Sequence, residues 1–503
     1  MLRVLGNPKR LCDGLTRREV LQIGALGTLG FGLDLPTLLR LRQLQAATSG
    51  RSGSDSFGKA KACILLFPYG SPPQHETFDP KPQAPREIQG EMKAIATSVP
   101  GLEICEHLPK VARVMDRATV VRSMNHPYPL HCLAYATSGN PSYDVSLETN
   151  IRDPRHWPFV GSVVDYIQTR KSPGRYPPMP RNVGLPWLMN SQSDLGPLAG
   201  PYAAFLGQRH DPIWTSFDGK ATKKAPKLSD NQAQQYLDPY SGVEPDCRFS
   251  LSAAGQGPPG ITLDLLNERR TLLEQLESAR QRVESSGPAQ TFDRFQEMAF
   301  SLLTSRNLRD ALDVRREMPR TRESYGMTLF GQSCLAARRL VEAGSQFVTV
   351  FWDAYKIFAG CCWDTHANHF PRLKEYLLPG FDRAYSGLIL DLEARGMLDE
   401  TLVLCMSEHG RTPRIDSKPK GAGRHHWSRV YSAVYAGGGI AQGRVVGSSD
   451  HLGGDVRDTP VSPKDILATT YHLLGIDPYT VITDDQDRPL PIAGAGRVRP
   501  ELL

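Results

Sequence analysis

The stretch Thr401-Leu-Val-Leu-Cys-Met406 is a mainly apolar run of strand length, and Glu408-His409-Gly-Arg-Thr-Pro413 follows it after one residue. A run of this kind, without polar alternation, is typical of a strand that is buried on both faces of a parallel sheet. In open α/β sheets, ligands bind in the crevice outside the carboxyl ends of the strands. The sequence therefore predicts that Glu408 and His409 lie at a ligand-binding edge.

Two more strand-like runs are followed by acidic and histidine residues. The run 62–67 precedes Gln74-His75-Glu76-Thr77-Phe78-Asp79, and the run 347–352 precedes Trp363-Asp364-Thr365-His366-Ala-Asn-His369. A histidine pair, His425-His426, comes just before a further predicted strand at 430–435. Each cluster alone has a simpler explanation, such as a solvated loop charge, an ion pair between Glu408 and Arg411, or a surface histidine pair. Their repetition after successive strands favours a metal-dependent enzyme.

Mixed carboxylate and imidazole ligands suit Zn²⁺, whereas an all-oxygen set would favour Mg²⁺ or Ca²⁺. We therefore expect one or two divalent ions, with zinc favoured. A pair of ions a few Å apart can clamp both the attacking and the leaving oxygen of a phosphoryl or sulfuryl transfer. The candidate metal ligands are Glu76, Asp364, His366, His369, Glu408, His409 and His426.

A fourth segment, Arg122-Ser-Met-Asn-His126-Pro-Tyr-Pro-Leu-His131, follows a predicted strand at 118–122. Its two histidines could bind substrate or metal, or could be packing and turn residues. Arg411 and Arg424 are candidate oxyanion clamps, because a guanidinium matches phosphate or sulfate in a bidentate way. Both could equally be ordinary ion-pair partners. We include His126, His131 and Arg411 among the candidate catalytic residues.

The first 47 residues read as a targeting segment. Thr16-Arg17-Arg18-Glu19 precedes a Gly-rich apolar stretch, which is typical of a twin-arginine export signal read by the export machinery. This segment carries about four of the six net positive charges, so the remainder is near +2 and gives no basic patch for nucleic acid. No later stretch reaches the roughly 18 apolar residues that a membrane span needs. We expect an exported protein without a stable span after cleavage.

Strand-like and helical segments alternate along the remaining chain. This alternation predicts an α/β fold with a mostly parallel central sheet and helices on both of its faces. Residues 48–58 are predicted to form a linker, and 59–503 a single domain. Between about 172 and 345 we expect an irregular and helical insert, because 172–260 is rich in Pro and Gly.

Several of these motifs together resemble one family. The arginine-pair leader, Thr77-Phe-Asp-Pro-Lys-Pro82, Arg122-Ser-Met-Asn-His126, Trp363-Asp-Thr-His366, Gly410-Arg-Thr-Pro413 and His426-Trp427 resemble the exported bacterial family called domain of unknown function 1501. The resemblance covers nearly the whole chain. It implies an alkaline-phosphatase-like or sulfatase-like fold, with two divalent metals at the carboxyl ends of the strands.

Carried over by order along the chain, Glu76 resembles the first acidic ligand and Asp364 with His366 or His369 the middle group. Glu408-His409 resembles the next pair, and His426 the last histidine. This chain departs from many relatives at Glu76 and His425, where those relatives have Asp, and at His409, where they have Phe.

The largest departure from the family concerns the nucleophile that would attack the ester. The Cys/Ser-x-Pro-x-Arg motif that matures to formylglycine in sulfatases is missing from the expected place, and Asn125 stands where relatives often have Thr or Ser. Asparagine cannot attack phosphorus or sulfur as a hydroxyl can. Three possibilities remain: Ser71 or Ser123 replaces it, a metal-activated water attacks, or the protein is not a hydrolase. We count Ser123 among the candidate catalytic residues.

The sequence therefore favours an exported, metal-dependent hydrolase of phosphate or sulfate esters. Its expected substrate is a small molecule or a polysaccharide ester. The alternative is a non-catalytic exported binding protein that retains the sulfatase-like fold.

Overall fold

The computed structural model describes residues 56–131, 133–139, 147–148, 150–151, 153–172, 177–194, 196–224, 236–251, 305–357, 362–418 and 421–503. Residues Gly58–Leu503 form one unit. The predicted export signal at 1–47 lies outside the described residues, as does most of the predicted linker.

In the described residues, the main sheet has nine strands. In chain order they are β1 (Ala62–Pro68), β2 (Ala118–Met124), β3 (Asn182–Leu185), β4 (Ile213–Asp218), β5 (Arg248–Leu251), β6 (Phe347–Trp352), β7 (Thr401–Cys405), β8 (Tyr431–Ala436) and β9 (Arg444–Val446). Their order across the sheet is β9-β2-β8-β7-β1-β6-β3-β4-β5. The central strand β1 pairs in parallel with β6 and β7.

Among the described strands of this sheet, only β8 and β5 run against the others. β8 is antiparallel to both β2 and β7, and the edge strand β5 is antiparallel to β4. The amino end of β8 therefore lies at the same edge as the carboxyl ends of β1, β2, β6 and β7. Four chain segments that follow parallel strands and one that precedes β8 thus meet at a single edge.

The helices cover both faces of this sheet. They are α1 (Arg86–Gln89), α2 (Pro109–Ala112), α3 (Leu133–Ser138), α4 (Val160–Lys171), α5 (Arg306–Leu312), α6 (Pro319–Tyr325), α7 (Leu329–Glu342), α8 (His369–Arg372), α9 (Leu378–Ala394) and α10 (Pro463–Leu473). A π-helical turn, Leu373–Leu377, joins α8 to α9. The predicted mostly parallel sheet with helices on both faces is confirmed.

Alternate residues of β1 enter two separate apolar layers. Ile64 and Leu66 pack in the layer that contains α7 and α9, whereas Leu65 and Phe67 pack in the layer that contains α4 and α10. All seven residues of β1 are buried, because successive side chains of a strand point to opposite faces and both faces are covered. The edge of the sheet is consequently the place where polar side chains can collect.

Short two-stranded antiparallel ribbons lie outside the main sheet. They pair Ala94–Ala96 with Glu103–Cys105, Gly410–Arg411 with His426–Trp427, Asp416–Lys418 with Gly421–Gly423, Ser448–Ser449 with Val456–Asp458, and Val481–Thr483 with Pro489–Pro491. Single 3-10 turns span Met115–Arg117, Ala204–Leu206, Gln208–His210, Val314–Arg316, Leu398–Glu400 and Pro500–Leu502.

The expectation of an irregular and helical insert at 172–345 needs correction. This region contributes three strands of the main sheet, β3, β4 and β5, as well as helices α5, α6 and α7. The strands were missed because they are four to six residues long and lie among Pro and Gly residues, which obscure a hydrophobic period. In the described part of the chain, none of the helices has the length and apolar character that a membrane crossing requires.

Candidate metal centre

One carboxylate oxygen is the centre of the polar residues at this edge. Asp364 Oδ1 lies 2.9 Å from His366 Nε2, 3.2 Å from His426 Nε2 and 3.4 Å from His131 Nε2. Asp364 and His366 follow β6, His131 follows β2, and His426 precedes β8. The topology of the sheet thus brings residues from distant parts of the chain to one point.

Two overlapping sets of potential ligand atoms result. One atom each of Asp364, His366 and His426 lies within 4.8 Å of the other two, and the same holds for His131, His409 and His426. His426 belongs to both sets. We refer to Asp364, His131, His366, His409 and His426 as the histidine cluster.

In three histidines of the cluster, the ring nitrogen Nδ1 lies next to a protein oxygen that can only accept a hydrogen bond. His131 Nδ1 lies 2.7 Å from Glu408 Oε1, His409 Nδ1 lies 2.8 Å from the carbonyl of Gly410, and His426 Nδ1 lies 3.2 Å from the carbonyl of Pro129. Since a carbonyl or carboxylate oxygen needs a donor, each Nδ1 carries the hydrogen. In a neutral ring, Nε2 is then the nitrogen with a lone pair, which is how histidines are commonly held at metal sites.

His366 is oriented by a second histidine instead. Its Nδ1 lies 2.8 Å from His425 Nδ1, and His425 Nε2 lies 2.9 Å from Asp416 Oδ2. The carboxylate fixes the hydrogen of a neutral His425 on Nε2, so His425 Nδ1 accepts and His366 Nδ1 donates. The lone pair of His366 Nε2 then faces His426 Nε2 at only 2.9 Å. Two lone pairs at this distance need a shared proton or a cation, so the donor set fits a metal ion.

Burial and charge set the protonation states of the cluster. Burial disfavours a charged carboxylate, but Arg411 and the neighbouring histidines outweigh it and hold the pKa of Asp364 well below its usual range. Burial lowers the pKa of His409 and of His426, which keeps these rings neutral. Burial also lowers the pKa of His131, but hydrogen bonds with Asp364 and Glu408 more than offset it and raise that pKa to about 9.

His409 has a buried nitrogen that lacks a protein partner. Its Nε2 forms no hydrogen bond within the described part of the chain, and the side chain is 1% exposed. An unpaired polar atom in such a place costs free energy unless a ligand or water satisfies it. This orphaned nitrogen is a second observation that fits a bound cation.

Glu408, predicted as a metal ligand, lies behind His131. Its Oε1 accepts the backbone N–H of Gly70 at 2.9 Å as well as His131 Nδ1, and its Oε2 lies 2.6 Å from Ser407 Oγ. Burial disfavours the charge of Glu408, yet these contacts lower its pKa. The arrangement makes Glu408 a positioning residue that orients His131.

Glu76 and His369, also predicted as ligands, form a separate buried group. Arg424 Nε lies 3.1 and 3.0 Å from the two carboxylate oxygens of Glu76, and His369 Nε2 lies 3.1 Å from Glu76 Oε2. Burial opposes the charge of Glu76, but Arg424 and His369 lower its pKa to about 2. Glu76 belongs to neither potential ligand set, and its carboxylate is paired with Arg424. Arg424 is committed to this pair and is not positioned as an oxyanion clamp.

Three candidate catalytic residues have structural contacts instead. Ser123 is buried and donates from Oγ to the carbonyl of Thr459 at 2.6 Å. His126 Nε2 donates to the carbonyl of Glu408 at 2.6 Å, and its Nδ1 accepts from the N–H of Tyr128. Both ring nitrogens of His126 are therefore occupied, and burial lowers its pKa to about 4.

Arg411 is the third of these residues, and it is fully buried. Its side chain donates to the carbonyls of Ser71, Gly70 and Arg424, and its Nη2 binds Asp364 Oδ1. With its donors directed into the protein, Arg411 positions Asp364 and does not face a substrate. Of the four candidate catalytic residues, only His131 lies in the histidine cluster.

Neither hydroxyl proposed as an attacking group is accessible. Ser71 is buried, and its Oγ accepts the backbone N–H of His409 at 3.2 Å. Its φ of 69° lies in the left-handed region, next to Gly70 with a φ of 97°. The backbone N–H of Asn125 donates to the carbonyl of Val461. Ser71 and Asn125 thus contribute to the framework of this edge.

Comparisons with known proteins identify the family. The family model for a protein of unknown function called DUF1501 matches residues 60–503. The chain belongs to the DUF1501 family. No curated protein matches it.

Solved structures similar to this DUF1501 chain include the PsFucS1 sulfatase from Pseudoalteromonas sp. The two share 11% identity and a TM-score of 0.38, over 86% of this chain and 72% of the sulfatase. The lipoteichoic acid synthase LtaP from Listeria monocytogenes shares 9% identity and a TM-score of 0.32, over 85% of this chain and 75% of the synthase.

Several residues of the centre were not predicted from the sequence as parts of a site. Gly70 and Asp416 belong to neither ligand set, but they help to hold residues of the cluster in place, as does His425 of the predicted histidine pair. Glu148 has a buried Oε1 that forms no hydrogen bond with the residues that the structure describes, and burial together with the charge of Glu408 raises its pKa. Nothing in the local pattern around Glu148 signals this position, because it follows no recognisable strand.

Gly70 allows a test of how closely the turn after β1 approaches the loop that carries Asp364. A Cβ at position 70 would overlap the backbone N of Asp364 and lie 2.8 Å from the backbone N of Trp363. Gly101 has a similar φ of 80°, but a Cβ there would have no neighbour within 4 Å. The two glycines therefore differ mainly in steric contact.

We expect Gly70→Ala to destabilise the protein clearly more than Gly101→Ala does. The left-handed backbone alone costs roughly 1–2 kcal/mol for alanine, and the overlap at position 70 should add about 1–3 kcal/mol. The free energy of unfolding in urea measures both. Equal losses for the two variants would contradict the close approach of Gly70 to Asp364.

Proposed function

We propose that this protein is an exported, divalent-metal-dependent hydrolase of phosphate or sulfate esters. The observation that carries the proposal is the convergence of three histidine side chains, His131, His366 and His426, on the Asp364 carboxylate at the carboxyl edge of the sheet, with His409 beside His131 and His426. Perturbed pKa values, an orphaned buried nitrogen and partners on the far side of each ring support a site built to hold a cation.

The donor set supports zinc as the metal. Imidazole nitrogen with one carboxylate oxygen suits Zn²⁺, whereas Mg²⁺ and Ca²⁺ prefer oxygen ligands. Asp364, His366 and His426 form the set with a carboxylate, and His131 and His409 extend it. When bound, zinc acts as a Lewis acid that stabilises negative charge on ester oxygens and makes water more acidic. The side chains of the histidine cluster would supply the donor atoms. Glu408 orients one of these side chains, His131, and Arg411 orients another, Asp364.

The burial of the candidate serine and arginine side chains bears on which group attacks the ester. Ser71 and Ser123 are buried and hydrogen-bonded, so neither hydroxyl faces the cluster as an accessible nucleophile. Arg411 and Arg424 are likewise buried and bound to carboxylates. These contacts support attack by water and anion binding at the cluster itself, for an ester on a small molecule or a polysaccharide.

The same contacts support the second candidate, a non-catalytic exported binding protein that keeps a metal. A site without an available hydroxyl or arginine could bind an anionic group through the metal alone. The two candidates differ in one observable, which is release of phosphate or sulfate from an ester under multiple-turnover conditions.

His426→Ala tests the proposal at the residue that belongs to both ligand sets. Elemental analysis of the zinc-loaded protein should show loss of bound zinc, because both sets lose a donor atom. Hydrolysis across a panel of phosphate and sulfate esters should fall with it. His156→Ala is the matched control, since the ring of His156 binds the carbonyl of Asn150 and no member of the cluster.

Three outcomes separate the candidates. Zinc binding with turnover in the wild type, lost in His426→Ala and kept in His156→Ala, supports the hydrolase. Zinc binding without turnover on any ester supports the binding protein. Unchanged zinc content in His426→Ala would refute the ligand assignment.

Export by the twin-arginine route is a separate part of the proposal, and it rests on Arg17, Arg18 and the apolar stretch after them. We expect a reporter fused to residues 1–47 to leave the cytoplasm, and a double Arg17→Lys, Arg18→Lys variant to stay there, because the arginine pair is read by a receptor. Cell fractionation measures both. Export of the double variant at the wild-type level would rule out this route.

A further inference from the structure

One ligand of the cluster, His366, is oriented by residues that lie outside it. The side chain of His366 is 40% exposed, whereas that of His409 is buried. A half-exposed imidazole on a loop has rotational freedom that a buried ring lacks. Its orientation toward Asp364 therefore needs a specific partner.

The partner is His425, which is itself held by Asp416. Nδ1 of His366 and Nδ1 of His425 are 2.8 Å apart, and the two ring centroids are 5.0 Å apart. Asp416 Oδ2 accepts from His425 Nε2 at 2.9 Å. The backbone of His425 is fixed as well, because its N–H donates to Thr412 Oγ1 and its carbonyl accepts the N–H of Thr412.

The hairpin that carries Asp416 also contacts the backbone of His366. Asp416–Lys418 pairs with Gly421–Gly423, and a Cβ on Gly423 would overlap the carbonyl oxygen of His366. The next residue, Arg424, donates its backbone N–H to the carbonyl of Thr365 at 3.2 Å. The loop with Asp364 and His366 is thus held by the end of this hairpin.

We propose that Asp416 and His425 form a positioning relay, which fixes the tautomer and orientation of His366 and thereby sets the affinity of the cluster for a divalent cation. The carboxylate holds the hydrogen of His425 on Nε2. His425 Nδ1 then accepts the hydrogen from His366 Nδ1, which leaves the lone pair of His366 Nε2 directed at the cluster. This inference rests on the metal site of the proposed function, but it does not require ester hydrolysis.

Zinc affinity of the full mature protein tests the relay, measured by competition with a chromophoric chelator at pH 8. His425→Phe keeps an aromatic ring beside His366 but removes both nitrogens. We expect it to weaken zinc binding by about 10–100-fold, the range typical for loss of a residue that orients a metal ligand. Asp416→Ala should weaken binding in the same direction.

A rescue variant separates positioning from a merely structural role. His425→Asn places an amide oxygen near the former Nδ1, where it can accept from His366, so we expect it to restore most of the affinity. The visible absorption spectrum of the Co²⁺-loaded protein should change in His425→Phe and return toward the wild type in His425→Asn. His156→Phe is the control and should leave both readouts unchanged.

The outcomes distinguish failure of the relay from failure of the proposed function. Wild-type affinity and spectrum in both His425→Phe and Asp416→Ala would overturn the relay alone. A wild-type protein that binds zinc without hydrolysing esters would leave the relay standing and remove the hydrolase. A wild-type protein that binds no zinc would overturn both.

Discussion

The buried ion pair between Asp364 and Arg411 is the interaction on which the centre depends. A carboxylate at such a depth would take up a proton if it had no positive partner. Arg411 is fully buried, binds Asp364 Oδ1 and also binds the carbonyls of Gly70 and Ser71 after β1. It therefore keeps the central oxygen charged and ties the loop after β6 to the end of β1.

A second buried pair completes the frame. Arg424 binds Glu76 through several nitrogen–oxygen contacts, and its backbone N–H reaches the carbonyl of Thr365. Residues after β1, after β6 and before β8 are joined in this way. Replacing buried ion pairs by apolar residues often leaves stability unchanged or higher, but removing one partner is costly. We interpret both pairs as devices that fix the geometry of the edge.

The sequence predicted which central strands end at this edge of the sheet, but it did not predict most of the side-chain contacts there. Apolar runs at 62–67, 347–352 and 401–406 placed three central strands, and the structure brings the residues after them to one edge of the sheet, where Asp364 lies in the histidine cluster and Glu76 lies in a separate pair with Arg424. The sequence could not show that Glu76 pairs with Arg424, or that Glu408 reaches His131, because these partners are 348 and 277 residues apart. The sequence did not single out His131 from the other candidate catalytic residues, because a lone histidine after a strand has many possible roles. Only the packed structure distinguishes a residue that offers a ligand atom from one that orients its neighbour.

X-ray absorption at the zinc edge of the metal-loaded mature protein tests the central claim most directly. The cluster predicts a shell of nitrogen and oxygen at about 2.0–2.1 Å with the multiple-scattering signature of several imidazoles and no sulfur. Within the described residues both potential ligand sets consist of Asp and His side chains, so a sulfur shell would place the ion elsewhere. A shell with sulfur, or one without imidazole, would contradict a metal centre built on Asp364 and its histidines.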